Sequence, residues 1–135
     1  KKKPYLSDPD YLKYKGFLTA DTAHPFFELL YLPFTDNAPL PRFKDCARKG
    51  TIEETGMVLY YTAQCPYTSQ YVPLIAKAAQ ARGHELTLHP ITTTEQAQNA
   101  PAPYTTYSFF NNGRLVTHEI FSEKKFEKFL DSLPV

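Results

Sequence analysis

The spacing of apolar residues along this chain predicts two well-defined amphipathic helices. One apolar stripe lies between Cys65 and Arg82, where Gly83 ends the pattern. The other follows Ser122, a suitable N-cap residue, and Glu123, whose charge favours the first helical turn. The apolar positions are Val72, Ile75, Ala76 and Ala79 in the first helix, and Phe126, Phe129, Leu130 and Leu133 in the second.

Six shorter runs, rich in aromatic and β-branched residues and bounded by turn residues, predict strands. Between the last two runs stands Asn111-Asn112-Gly113, and Asn-Gly tolerates the positive φ angles of a type I′ turn, so these two strands should form a hairpin. The predicted strands are Phe17 to Asp21, Phe26 to Leu32, Met57 to Thr62, Glu85 to His89, Tyr104 to Phe110, and Arg114 to Ile120.

Capping signals predict two further short helices. Ser7 or Asp8 can cap a helix that has Pro9 in its first turn and stops at Gly16. The run Thr92 to Glu95 has a capping-box pattern that opens a helix ending near Asn99. The predicted fold class is therefore α/β, with the order β-α-β-α-β-β-α from Met57 onward, preceded by a short α-β-β unit.

The stretch from Pro33 to Gly50 contains three prolines and mixed charges, and neither helical nor strand periodicity. It predicts a linker that lies on a surface. Cys46 falls within it, either as an ordinary free thiol or as a partner for Cys65. The predicted organisation is a first unit at 1–34, a linker at 35–56 and a domain at 57–135.

Charge and composition exclude several classes of function. The 15 Lys and Arg residues balance 14 Asp and Glu residues, and a net charge of +1 provides no field to attract nucleic acid or a membrane surface. The opening Lys1-Lys2-Lys3 run is interpreted as a solvated terminus. No run approaches the ~20 apolar residues of a membrane span, and no apolar segment follows the lysines as in a signal peptide. A soluble protein is expected.

Cysteine and histidine usage indicates a reducing cytoplasm and no metal site. Two cysteines are too few for a secreted disulfide scaffold, and neither stands in a Cys-x-x-Cys metal spacing. The four histidines lack His-x-His or His-x-x-x-His spacing. His118 could neighbour Cys65 and act as a base, or it could be a hydrogen-bonded structural residue.

Cys65 stands where a strand-like run gives way to a helix-like run. A thiol at a helix N-terminus meets free backbone N–H groups and the positive end of the helix dipole, and both favour the thiolate. Cys65 is therefore a candidate nucleophile. The alternative is a small inert apolar residue at the end of a strand.

The tetrad Cys65-Pro66-Tyr67-Thr68 resembles the Cys-Pro-Tyr-Cys of glutaredoxins, with a hydroxyl residue in place of the second thiol. Pro73 lies where thioredoxins commonly have a helix-bending proline, and Pro103 precedes the hairpin as the cis-proline of that fold does. The resemblance implies a thioredoxin-like fold with Cys65 and Thr68 as catalytic candidates. Two glutaredoxin features are missing, the lysine before the cysteine and the Gly-Gly pair before the last helix.

The opening YLKYKGFLTADTAHPFFELLYLPF is similar to the last part of a GNAT-type N-acetyltransferase. Together with segments 41–46, 99–106, 117–120 and 122–126, it makes the chain resemble the C-terminal part of GNAT acetyltransferases that carry a YoaP-like domain. The resemblance implies that residues 1–34 end the GNAT-like domain and that 57–135 form the YoaP-like, thioredoxin-like domain. The implied binding residues are Pro66, Tyr67, Pro103, Tyr104 and Ser122.

Acetyl-CoA is the cofactor implied for the full-length protein, but this chain has no Arg/Gln-x-x-Gly-x-Gly/Ala loop to hold its phosphates. The cofactor site is expected upstream of residue 1, and no cofactor is expected in this segment. The leading hypothesis is an accessory domain that binds a substrate or partner beside the upstream GNAT domain. The alternatives are a one-cysteine thiol oxidoreductase acting on a small-molecule or thiol substrate through Cys65, and a structural extension covering the GNAT sheet edge.

Overall fold

The computed structural model describes residues 8–134, and these residues form an α/β structure, as predicted, whose larger sheet is mixed. The Lys1–Lys3 run and the Ser7 alternative for the first N-cap lie outside the described residues. The elements in chain order are α1 (Pro9–Tyr14), β1 (Leu18–Ala23), β2 (Phe27–Tyr31), α2 (Asp45–Arg48), β3 (Met57–Tyr61), α3 (Pro66–Ala81), β4 (Leu86–Pro90), α4 (Thr94–Gln98), β5 (Tyr107–Asn111), β6 (Arg114–Thr117) and α5 (Glu123–Asp131).

The strands form two separate sheets. β1 and β2 pair as an antiparallel hairpin, and the other four strands form a sheet in the order β4-β3-β5-β6. β3 is parallel to β4, with Leu59 opposite Leu88, and antiparallel to β5, with Leu59 opposite Phe109. β3 is therefore an inner strand whose backbone is paired on both sides.

The main core lies between the four-stranded sheet and helices α3 and α5. Met57 and Leu59 project from β3 to this side, where they join the apolar stripes of both helices. Phe126 of α5 is fully buried, and its ring centroid lies 6.0 Å from that of Phe109 and 5.5 Å from that of Phe121. The stripe predicted for the last helix is thus the one that the fold buries.

The opposite face of the sheet carries a smaller core around Val58 and Phe110, which are both fully buried. Ile52 and Ala102, from two segments without regular structure, cover this face. Ile52 also donates its backbone N–H to the Gly113 carbonyl at 2.9 Å. A Cβ on Gly113 would lie 2.8 Å from the Ile52 carbonyl oxygen, so this close approach requires glycine.

The turn and cap predictions are confirmed with one shift in position. Asp8 caps α1, and Asn112 and Gly113 have φ angles of 47° and 81°, as a type I′ turn requires. The capping box begins one residue later than predicted. Thr93, rather than Thr92, is the N-cap of α4, because Gln96 rather than Glu95 reaches back to the backbone.

The interpretation of residues 33–50 as wholly irregular is wrong at Asp45–Arg48, which form α2. Four residues are too few to show a helical period in sequence, and this helix depends on tertiary contacts. The Arg48 Nη2 atom lies 2.9 Å from Asp21 Oδ2 in β1 and donates to the Phe43 carbonyl at 3.1 Å. Asp21 also accepts the backbone N–H of Phe43 at 3.0 Å. Through these contacts Asp21 holds residues 43–48 against the β1–β2 hairpin.

We expect Phe126→Ala to lower the free energy of unfolding by about 3–5 kcal/mol, because it empties a fully buried aromatic site. Chemical denaturation measures the change. Lys124→Ala, at an exposed position of the same helix, is the control and should stay within about 0.5 kcal/mol of the parent protein. Equal stability of the two variants would contradict the placement of α5 against the sheet.

Asp21 should make stability depend on acid pH. The N–H of Phe43 holds the pKa of this carboxyl below its ordinary value of 3.8, helped by the N–H of Thr22 and the charge of Arg48 and opposed by partial desolvation. A depressed folded-state pKa contributes stability above the ordinary value, and this contribution is lost as the pH falls through the folded-state value. We therefore expect the stability advantage of the parent protein over Asp21→Asn to be full near pH 7 and to shrink below about pH 4.

Denaturant unfolding across this pH range measures that difference. Asp36→Asn is the matched control, since Asp36 is exposed and makes no ion pair within residues 8–134. A pH-independent difference for Asp21→Asn would show that its carboxylate charge does not stabilise the fold.

Candidate functional site

Cys65 is the N-cap residue of α3, a helix of 16 residues, as the sequence predicted. Its backbone is extended, and its carbonyl accepts the N–H of Thr68 at 3.0 Å. The side chain is half-buried and makes no capping hydrogen bond. The thiol therefore lies at the first turn of a long helix, beside backbone N–H groups that a thiolate could use.

The three residues after Cys65 differ sharply in exposure. Pro66 occupies the first helical position, where a missing N–H costs nothing, and it is exposed. Tyr67 is 61% exposed, whereas Thr68 is fully buried. Within the described part of the chain, the Thr68 hydroxyl has no hydrogen-bond partner. Tyr67 is thus available to a ligand, and Thr68 presents a buried polar group one turn from the thiol.

The loop that carries Pro103 and Tyr104 reaches the Cys65 turn through Thr106. The Thr106 carbonyl accepts the N–H of Thr62 at 3.1 Å, and its hydroxyl donates to Gln64 Oε1 at 3.3 Å. The cis peptide bond expected before Pro103 is not found. Within residues 8–134, the cis peptide bond precedes Pro25 instead. The loop reaches the cysteine turn with a trans proline, so this detail of the thioredoxin comparison is wrong.

His118 packs among aromatic rings. Its ring centroid lies 5.1 Å from that of Tyr104, 5.3 Å from that of Phe26 and 5.6 Å from that of Phe27. Within the described residues, none of its aromatic contacts is to the Cys65 turn itself. His118 joins the tip of the β1–β2 hairpin to the Tyr104 loop. These contacts favour a structural role over the general base, and the role comes from ring packing and not from the expected hydrogen bond.

Two further sequence candidates have roles that the contacts explain. Ser122 is the N-cap of α5, and its hydroxyl accepts the N–H of Lys125 at 3.4 Å. Cys46 is an exposed free thiol whose Sγ lies 3.9 Å from the Gln98 carbonyl oxygen. Cys65 is also free. A ligand-binding role of Ser122 stays a prediction.

A cluster of Glu54, Tyr60 and His89 was not predicted. The His89 Nε2 atom lies 2.8 and 2.9 Å from the two carboxylate oxygens of Glu54, and the Tyr60 hydroxyl donates to Glu54 at 3.2 Å. Burial raises the pKa of Tyr60, and the adjacent Glu54 carboxylate adds to the effect. Tyr60 and His89 are register partners of β3 and β4, so strand pairing was the only signal that could have joined them.

No group of three or more potential His, Cys, Asp or Glu ligands lies close enough together in residues 8–134 to hold a metal ion. Across the same residues, the helices are too short or too polar to cross a bilayer.

A model of the YoaP-like family matches residues 86–128, the region from β4 into α5. This part of the chain is therefore similar to the YoaP-like family. It is also 40% identical over 133 residues to a Bacillus subtilis (strain 168) protein named "Uncharacterized N-acetyltransferase YoaP". The similarity covers 98% of this chain and 53% of that relative, so the chain spans about half the length of the curated relative that it matches.

Proposed function

We propose that this chain is an accessory part of a GNAT-type N-acetyltransferase, and that it binds a substrate or partner without holding acetyl-CoA itself. The observation that carries the proposal is the exposed apolar surface of the β1–β2 region. This region falls within the similarity to a relative that is named an N-acetyltransferase and is about twice as long.

Six of the ten large apolar side chains that are exposed in residues 8–134 belong to residues 14–40, among them Phe34 at 90% and Leu18 at 52%. Contiguous exposed apolar surface commonly marks an interaction site, and Leu18 and Phe34 line the same surface pocket. Within the described residues β1 and β2 pair only with each other, and a two-stranded sheet is marginally stable in isolation. Packing of this hairpin against an acetyltransferase domain would cover its side chains and supply its open edges with partner strands.

The accessory role of residues 57–135 is supported by the strand order of the sheet and by the surface position of the turn at Cys65. The order β4-β3-β5-β6, with β5 antiparallel to its neighbours, is the arrangement expected of a thioredoxin-like domain. The turn that begins α3 presents Tyr67 and Cys65 at the surface. The hydroxyl residue Thr68 in place of a second thiol favours a binding role for this turn over intramolecular disulfide chemistry.

A one-cysteine oxidoreductase is the second candidate, because Cys65 is the N-cap of a long helix and is partly accessible. In this reaction the Cys65 thiolate would attack the glutathione sulfur of a mixed disulfide and release the substrate as a thiol. A second glutathione would then attack the Cys65–glutathione disulfide, which regenerates the thiolate and yields oxidised glutathione. Thr68 cannot perform this second step.

We expect the 135-residue chain to show no heat of binding when it is titrated with acetyl-CoA, because its five glycines are isolated and form no phosphate-binding loop. Isothermal titration calorimetry makes this measurement. The longer Bacillus subtilis relative is the matched comparison and should bind. A micromolar Kd for the shorter chain would contradict the proposal.

The oxidoreductase alternative is tested at Cys65, with Cys46 as an internal control. We expect Cys65 to be alkylated faster than Cys46 near neutral pH even though Cys46 is the more exposed, because Cys65 lies beside the free N–H groups at the start of a 16-residue helix and Cys46 lies in a four-residue helix. Mass spectrometry of both sites over a pH series gives the rates. Equal rates would show that the helix does not activate this thiol.

We also expect slow reduction of glutathione mixed disulfides, since the usual glutathione-anchoring residues are missing. A glutathione-coupled assay compares the parent chain with Cys65→Ser. Fast turnover that the substitution abolishes would make the oxidoreductase the better assignment and would displace the binding role.

A further inference from the structure

A cleft of about 540 Å³ opens where β3 and β4 end beside α3. Its size falls within the range of small-molecule sites. Cys65 is not among the residues that line it, and neither are the other site residues predicted from sequence. The lining residues are Tyr61, Ala63, Ser69, Val72, Pro73, Pro90, Ile91 and Thr92.

The lining is largely apolar and contains no Asp, Glu, Lys, Arg or His. Val72 is 3% exposed and Ile91 9% exposed, so the floor consists of side chains held in the fold. An ionised ligand would lose hydration here and find no opposite charge. The cleft therefore favours a neutral ligand with a substantial apolar body.

Two polar atoms at the rim can accept a hydrogen bond from a ligand. Pro73 lies inside α3 and has no N–H, so the Ser69 carbonyl lacks the donor that the residue four positions later ordinarily supplies. The Thr92 hydroxyl donates to Gln96 Oε1 at 3.2 Å, which leaves its oxygen able to accept. A ligand with one N–H or O–H donor would supply the Ser69 carbonyl with the donor that Pro73 lacks.

The position of the cleft supports binding as well. β3 and β4 are parallel, and the cleft includes the last residue of each, Tyr61 and Pro90. In open α/β sheets, ligands commonly bind beyond the carboxyl ends of parallel strands. The Ile91 N–H donates to the Tyr61 carbonyl at 2.7 Å and fixes the two strand ends together, so the floor is preformed.

We propose that this cleft binds a neutral, mainly apolar small molecule that carries one hydrogen-bond donor. The cleft does not include Cys65 or Thr68, although Ala63 and Ser69 of its lining flank them, and it does not depend on the acetyl-CoA expectation. The proposal for the cleft and the expectation for acetyl-CoA can therefore be contradicted independently of each other.

Indole is a suitable probe, because it is neutral and apolar and carries one N–H donor. Titration of the ¹⁵N-labelled chain with indole should give saturable amide shifts at Tyr61, Ser69, Val72 and Ile91, with a Kd of about 1 mM for a ligand of this size. Benzothiophene, which has a similar shape but no N–H, should bind about 5- to 10-fold more weakly. The absence of saturable shifts within the solubility of indole would overturn the proposal, and equal affinity of the two probes would overturn its hydrogen-bond donor.

A cleft-filling variant locates the site. Ser69→Trp should weaken indole binding at least tenfold, whereas Gln80→Trp, at an exposed position of the same helix, should leave the Kd unchanged. Thr92→Trp blocks the opposite wall and serves if Ser69→Trp does not fold, as judged by thermal unfolding. Unchanged indole affinity in a folded cleft-filling variant, or shifts confined to the Cys65 turn or the Phe110 face, would overturn the proposal.

Discussion

The burial of β3 on both faces is the constraint on which the other features depend. Met57 and Leu59 face the core under α3 and α5, and Val58 faces the smaller core that Ile52 and Ala102 cover. Because β3 is also paired on both edges, its carboxyl end is fixed relative to β4 and β5. The Cys65 turn and the apolar cleft both begin at that end, so a well-packed strand positions the two candidate sites.

The sequence predicted the elements that depend on neighbouring residues or that are long enough to show a helical period. The stripes of α3 and α5, the Asn-Gly hairpin and the cap of α1 each depend on neighbouring residues, and each is observed. Residues 45–48 could not be predicted, because this short helix depends on Arg48 reaching Asp21 far along the chain. The capping box shifted because Thr92, Thr93 and Thr94 are chemically equivalent caps and the side chain of Gln96 decides among them.

In the candidate site, too, local signals could be predicted from the sequence and contacts between distant segments could not. The position of Cys65 at the start of a helix was predicted from a strand-to-helix change in periodicity, which is a local signal. The burial of Thr68, the aromatic contacts of His118 and the Glu54–Tyr60–His89 cluster arise between distant segments. Pro103 shows the limit of carrying a detail from one family to another, since its position before the hairpin agrees with the comparison and its trans peptide bond does not.

Helix α3 contributes residues to both candidate sites. Its first residues form the Cys65 turn, and Ser69, Val72 and Pro73 in its next turns line the cleft. An interior proline costs a helix about 3 kcal/mol, partly through the lost hydrogen bond, and tertiary packing must offset that cost. Val72 and Ile75 supply such packing on the buried side of the helix, whereas Pro73 lies on the exposed side. The Ser69 carbonyl, which lacks an N–H donor from Pro73, therefore lies on the exposed side of the helix. Water or a ligand can donate a hydrogen bond to it there without disturbing the core.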